Sequence, residues 1–83
     1  MAKNYEERKV VIHIHELLQK HQMTLSQLAL DADIDKSKLS RLANGKRESL
    51  YLPYIIRLAE TLDIDDINEI ISIERVEEKF TGN

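Results

Sequence analysis

Apolar residues recur at intervals of three and four along most of this chain, which is the spacing of one face of an α-helix. The pattern predicts a first helix from about Tyr5 to His21, a second from Thr24 to about Asp33, and a third between Asp35 and Gly45. The predicted inward positions of these helices are Val10, Ile14, Leu17, Leu18, Leu25, Leu28, Ala29, Ala32, Leu39 and Leu42.

Residues that start and stop helices support these boundaries. Thr24 and Gln27 form the T-x-x-Q pattern of a capping box. In that arrangement the Thr24 hydroxyl accepts from the Gln27 amide, and the Gln27 side chain returns to the Thr24 amide. Asp35 is a good N-cap for the third helix, and Gly45 suits its end.

The second half of the chain predicts two more helices. Pro53 fits the first turn of a fourth helix, whose apolar positions are Ile55, Ile56, Leu58, Ala59 and Leu62. A fifth helix begins at Asp65 or Asp66, where an acidic residue complements the helix dipole, and extends to about residue 80. The expected fold class is therefore all-α: residues 1–83 form one domain of five helices, with an extended fifth helix.

Composition excludes several classes of function. The chain contains no cysteine, which excludes disulfides and thiolate metal sites and suits a reducing cytoplasm. His13 and His15 are two residues apart and point to different faces of a helix, so they cannot chelate a metal together. No apolar run approaches the roughly 20 residues that span a bilayer, and no nucleophile–base pair or Gly-rich phosphate loop is present. We expect a cytoplasmic protein that is not an enzyme and has no cofactor, metal, small-molecule ligand or membrane partner.

The net charge of −3 argues against a nucleic-acid partner, but the distribution of charge reverses that inference. Between residues 36 and 47 there is no acid, and the cations are Lys36, Lys38, Arg41, Lys46 and Arg47. Acids are concentrated between residues 60 and 78, where the single cation is Arg75. A local basic segment of this kind is typical of a DNA-binding surface.

Residues 24–43 also meet the steric requirements of a helix-turn-helix. Ala29 is small where the second helix of such a unit crosses the first, and Asp33 stands in the turn, where a residue that tolerates left-handed backbone angles is needed. A shared core would then be formed by Leu28, Ala32, Ile34, Leu39 and Leu42.

The segment MTLSQLALDADIDKSKLSRLANGKR resembles the helix-turn-helix of the lambdoid phage repressor and Cro family (XRE-like). YLPYIIRLAETLDIDDINEI is similar to the fourth and fifth helices of that family, so the resemblance covers roughly residues 14–71. It implies a lambda-repressor-like domain that binds double-stranded DNA with its third helix in the major groove.

Carried over by position, the resemblance implies two sets of contact residues. Those at base-reading positions are Lys36, Ser37 and Arg41. Those at flanking or phosphate-contacting positions are Thr24, Gln27, Lys38, Ser40, Asn44, Lys46 and Arg47. Arg41 and Lys36 can bond guanine O6 and N7, which predicts a GC-containing half-site.

The chain departs from the family at two sites. A Gln that commonly follows the capping Thr, binds DNA and contacts the recognition helix is replaced here by Leu25. An Arg–Glu pair buried in many members corresponds to Leu18 and Ala43. Replacing both partners of a buried pair by apolar residues avoids the roughly 3–5 kcal/mol cost of leaving one charge unpaired. We therefore expect Leu18 to pack near Ala43.

Three apolar residues of the predicted fifth helix, Ile73, Val76 and Phe80, are spaced to form a stripe beyond the core. They predict a homodimerisation surface, with intramolecular packing on the first helix as the alternative. The favoured function is a transcriptional regulator, more specifically a repressor, of bacterial, phage or mobile-element origin. The alternatives are an antitoxin-type autoregulator and a protein-interaction adaptor that binds partners through the acidic fifth helix.

Overall fold

Four α-helices and a two-stranded antiparallel sheet make up the part of the chain that the computed structural model describes, residues 7–46 and 49–76. The elements in chain order are β1 (Arg8–Ile12), α1 (Ile14–His21), α2 (Leu25–Ala32), α3 (Lys36–Ala43), α4 (Leu52–Leu62), a short 3-10 helix (Ile67–Glu69) and β2 (Ile71–Arg75).

The expectation of an all-α, five-helix fold is wrong in two of the described segments, one before α1 and one after α4. Residues 8–12 of the predicted first helix form β1, and the predicted fifth helix is replaced by the 3-10 helix and β2. The physical reason lies in the β-branched residues Val10, Val11 and Ile12 and, across the sheet, Ile71 and Ile73. Such side chains lose rotamer freedom in a helix and suit the pleated surface of a strand.

The two strands pair in register from Arg8 with Arg75 to Ile12 with Ile71. The hydrogen bond from the His13 amide to the Ile70 carbonyl (2.7 Å) continues the pairing to the start of α1. The His13 Nε2 atom also lies 2.7 Å from the Ser72 hydroxyl. The sheet is therefore attached directly to the first helix of the bundle.

The stripe predicted for dimerisation takes a different form in this fold. Ile73 lies in β2 opposite Val10, and both side chains are exposed (69% and 59%). Val76 follows the strand and is also exposed, whereas Phe80 lies outside the described residues. The prediction that Ile73, Val76 and Phe80 share one face of a helix is thus wrong. Residues two apart, not three or four apart, share a face of a strand.

The core lies between the helices and is closed by the end of the sheet. Its fully buried side chains are Ile14, Leu28, Leu39, Leu58 and Ile70. Of the expected inward positions in α2, the turn and α3, those that are buried are Leu28, Ala29, Ala32, Ile34, Leu39 and Leu42, and Leu25 is partly buried. The same expectation is wrong for Val10, which lies in β1 and is exposed. In α4 the expectation is wrong for Ile56, which is 59% exposed, and Tyr54 is buried on the inward face.

Leu18 and Ala43 are both partly buried against this core. Their helices α1 and α3 are in contact, which is compatible with the expected packing of the two residues. A direct Leu18–Ala43 contact stays a prediction.

Two features are absent from residues 7–46 and 49–76. No described helix has the length and apolarity to cross a membrane. No cluster of three or more His, Cys, Asp or Glu side chains is placed to hold a metal ion in these ranges.

Truncation of Leu58 tests the orientation of α4. Leu58→Ala leaves a cavity at a fully buried position and should reduce the free energy of unfolding by about 2–5 kcal/mol. Ile56→Ala is the matched control on the same helix and should change it by less than about 0.5 kcal/mol, as expected for an exposed site. Urea denaturation measures both, and equal losses would contradict the orientation.

Candidate nucleic-acid interface

The first helix of the helix-turn-helix, α2, begins with one half of the predicted capping box. The Thr24 hydroxyl accepts from the Gln27 amide (3.1 Å), as expected. The return bond predicted from the Gln27 side chain is wrong, because Gln27 Nε2 donates instead to the Asp31 carboxylate (2.9 Å). The Gln27 side chain therefore lies along α2, with one N–H and its carbonyl oxygen still available to a partner.

The turn between α2 and α3 depends on a left-handed residue. Asp33 has φ 57° and ψ 48°, which confirms the role expected for it in place of glycine. The next amide, that of Ile34, donates to the Ala29 carbonyl (2.9 Å) and closes the end of α2. Both Ala29 and Ile34 are buried, and α2 and α3 are in contact on either side of this turn.

The recognition helix α3 begins at Asp35. Its carboxylate accepts from the Ser37 amide (2.9 Å) and from the Ser37 hydroxyl (2.8 Å). The hydrogen bonds from the Ser37 side chain and amide hold the pKa of Asp35 below its ordinary value. The Ser37 hydroxyl is a donor within the cap, so towards a base it can act only as an acceptor unless the cap opens.

The faces of α3 separate by polarity. Leu39 and Leu42 are buried in the core. The exposed residues of the helix are Lys36, Ser37, Lys38 and Arg41. Ser37 and Arg41 are four residues apart and project from one face, and within the described ranges no ion pair joins the three cations to a carboxylate. The structure thus brings the predicted base-reading residues onto one exposed, positively charged surface.

The C-terminal end of α3 carries the next candidate contacts. Asn44 is the C-cap, and its side chain donates weakly to the Ser40 hydroxyl (3.4 Å) and lies 3.3 Å from His15 Nε2 of α1. Gly45 has φ +67°, which allows the Lys46 amide to donate to the Arg41 carbonyl (2.9 Å). Lys46 is exposed, and Arg47 lies outside the described residues.

Sequence reasoning missed three residues of α4 and its N-cap. Arg57 Nη1 donates to the backbone carbonyl of Asp33 (2.9 Å), and its guanidinium lies 5.7 Å from the centre of the Tyr54 ring. Tyr51 packs edge-on against Tyr54 at 4.8 Å. Together with Lys38, these residues line an open groove of about 570 Å³ beside α3. The i, i+3 spacing of Tyr54 and Arg57 was the only sequence signal for this cluster.

The turn, the buried face of α3 and its exposed cationic face define a helix-turn-helix protein of the DNA-binding class. The family model for the Cro/C1-type HTH DNA-binding domain matches residues 13–75, and the chain belongs to that family. The match begins after β1 and includes β2.

A solved structure with the same fold is the crystal structure of the transcriptional regulator VanUg. The two are 23% identical and superpose with a TM-score of 0.68, over 92% of this chain and 100% of the other. This likeness supports the fold. A search of curated proteins gives no significant match.

The lowered pKa of Asp35 predicts a pH-dependent contribution to stability. Because the folded-state pKa is below the unfolded value, the stabilisation is complete above the unfolded pKa and is lost as the pH falls through the folded one. Asp35→Asn keeps a cap of similar rank without a charge. The difference in unfolding free energy between wild type and Asp35→Asn should be constant above about pH 5 and should fall towards lower pH. Urea titrations at several pH values measure it, and a difference independent of pH would contradict this assignment.

Proposed function

We propose that this protein is a transcriptional regulator that binds specific double-stranded DNA with α3 in the major groove. The observation that carries the proposal is the orientation of α3. Its apolar side, Leu39 and Leu42, is buried, and its opposite side presents Lys36, Ser37 and Arg41 to solvent. Family membership and the likeness to a protein described as a transcriptional regulator support the same function.

In this proposal Arg41 is the principal base-reading residue. A guanidinium can form two hydrogen bonds with guanine O6 and N7, and Arg41 is exposed in the last turn of the recognition helix. Lys36 reaches the same type of acceptor from the first turn. Ser37 accepts rather than donates while its hydroxyl is bonded to Asp35, which suits a cytosine or adenine amino group.

The remaining candidates hold phosphates and place the domain on the duplex. The Thr24 hydroxyl oxygen accepts from the Gln27 amide, so its hydrogen can be donated to a phosphate at the start of α2. Asn44 is the C-cap of the recognition helix, and Lys46 follows two residues later. Phosphate contacts at both ends of the unit would fix its register while leaving sequence reading to α3. Lys38 and Ser40 flank this surface, and Arg47 and Gln27 complete the proposed set.

We propose that the protein acts as a repressor. Its proposed origin is a bacterium, a phage or a mobile element, and its proposed location is the cytoplasm. A domain whose exposed binding surface is a single helix face acts most simply by occupying DNA that another protein needs. The alternative of a protein-interaction adaptor required a long acidic fifth helix as its binding surface. It is not favoured, because residues 67–75 form a 3-10 helix and a strand.

We also propose that the protein binds as a homodimer through the sheet. Val10 and Ile73 are neighbours across the strands and are exposed side by side, next to the half-buried pair of Ile12 and Ile71. This apolar face is larger than a single exposed side chain and is bordered by Arg8 and Arg75. A two-fold dimer would place two recognition helices about 34 Å apart on a palindromic operator.

Selection of sites from a random duplex library with the purified protein tests the regulator proposal. A specific regulator should enrich one motif, and the logarithm of its binding constant should fall linearly with log[salt]. If no motif is enriched, the proposal fails.

Two substitutions separate base reading from phosphate contact. Arg41→Ala should cost about 1–3 kcal/mol of binding free energy and relax preference at one base position. Lys46→Ala should weaken all sequences similarly and reduce the salt slope by about one. Titration of each variant against the selected site and its single-base variants distinguishes them. Unchanged specificity in Arg41→Ala would overturn the base-reading assignment.

Replacement of Ile73 tests the dimer. Ile73→Thr keeps a β-branched residue but removes apolar surface, so it should shift the monomer–dimer equilibrium towards monomer and weaken operator binding. Ile67→Thr is the control, because Ile67 is also exposed but lies in the 3-10 helix. Sedimentation equilibrium measures both variants, and an equal effect of the two would refute the assigned surface.

A further inference from the structure

Three helices of this protein end in the same way, and one of them carries an additional contact. Gln22, Asp33 and Asp63 all have a left-handed backbone with φ of 55°, 57° and 57°. In each case the following amide donates to a helix carbonyl at 2.9 Å, from Met23 to Leu18, from Ile34 to Ala29 and from Ile64 to Ala59. Among the described residues, only the Asp33 carbonyl also accepts from a side chain, that of Arg57.

The Arg57 side chain is itself held in place by its own helix. Tyr54, one turn earlier in α4, is buried, and its ring lies under the guanidinium at 5.7 Å. Tyr51 packs edge-on against that ring at 4.8 Å. A planar guanidinium can stack on an aromatic ring while its N–H groups donate in the plane, and this pre-orientation reduces the entropy lost in each hydrogen bond.

The contacted carbonyl belongs to the residue that determines the direction of α3. Asp33 is a non-glycine residue in the left-handed region, a conformation that is less favourable for it than for glycine. A change in its backbone angles would rotate α3 relative to α2. The apolar side chains of Leu18, Leu25 and Ala43 can donate no hydrogen bond to the recognition helix.

We propose that Arg57 is a positioning residue for DNA recognition: by donating to the Asp33 carbonyl it fixes the turn between α2 and α3 and thereby the direction in which Arg41 and Ser37 point. The inference rests on the proposed DNA-binding function for its consequence. The hydrogen bond from Arg57 to the Asp33 carbonyl, and its stabilisation of the turn, do not depend on DNA binding and have a test of their own.

Amide hydrogen exchange tests the effect on the turn without DNA. In Arg57→Gln the donor no longer reaches the carbonyl, and exchange of the Ile34 amide should become about two- to tenfold faster, the factor that corresponds to one net hydrogen bond. The amides of Met23 and Ile64 are internal controls with the same local geometry and should not change. Tyr54→Leu should produce a smaller acceleration at the same amide. If all three amides accelerate equally, or none does, the proposal is overturned.

Binding measurements test the consequence for recognition. Arg57→Gln should reduce the ratio of specific to non-specific affinity by about three- to tenfold while leaving the slope of log K against log[salt] unchanged. Lys20→Gln is the matched control, because it also removes one exposed cation, which pairs with Glu69 away from the turn. It should leave the ratio unchanged.

A direct phosphate contact by Arg57 would give a different result. The salt slope would then fall by about 0.9, and specific and non-specific duplexes would weaken alike. That outcome, or an unchanged ratio in Arg57→Gln, overturns the positioning role. If wild type selects no site at all, the regulator proposal fails. In that event the positioning role in recognition is overturned with it, whereas the exchange result still decides whether Arg57 stabilises the turn.

Discussion

The left-handed turn at Asp33 is the constraint on which the rest of the proposed interface depends. It sets the direction in which α3 packs against α2, with Leu39 and Leu42 buried and the opposite side of the helix exposed. A helix in any other direction would expose apolar residues or bury lysine and arginine side chains, and either outcome carries a large free-energy cost. The exposed cationic face is therefore a consequence of how the core closes.

Contacts that stabilise the helix-turn-helix come from its own caps, from α4 and from α1. The Thr24 and Asp35 side chains satisfy amides at the starts of α2 and α3, and the Ile34 amide closes the end of α2. From α4, Arg57 donates to the turn itself. From α1, His15 contacts Asn44 at the end of α3. A recognition surface on rigid, well-supported helices loses less conformational freedom on binding than a surface on loops.

Much of the helix-turn-helix could be predicted because its signals are local. The Thr24 cap, the Asp35 cap, the small Ala29 and the left-handed Asp33 each act within four residues, so the sequence specifies them directly. The 3.6-residue period likewise identified the buried side of α2 and α3. The period misled at Ile56, whose orientation depends on neighbours in other parts of the fold. The capping-box pattern misled at the Gln27 side chain, which donates to Asp31 instead of returning to the start of its helix.

What the sequence determined by itself is the helix-turn-helix, the polarity of its recognition helix and the positions of its caps. Only the tertiary structure decided that residues 8–12 and 71–75 are strands, because each strand needs hydrogen bonds from a partner about sixty positions away along the chain. The Arg57–Asp33 contact was decided in the same way. It joins residues 24 positions apart, through a backbone carbonyl that carries no side-chain signature, so no local pattern could have indicated it.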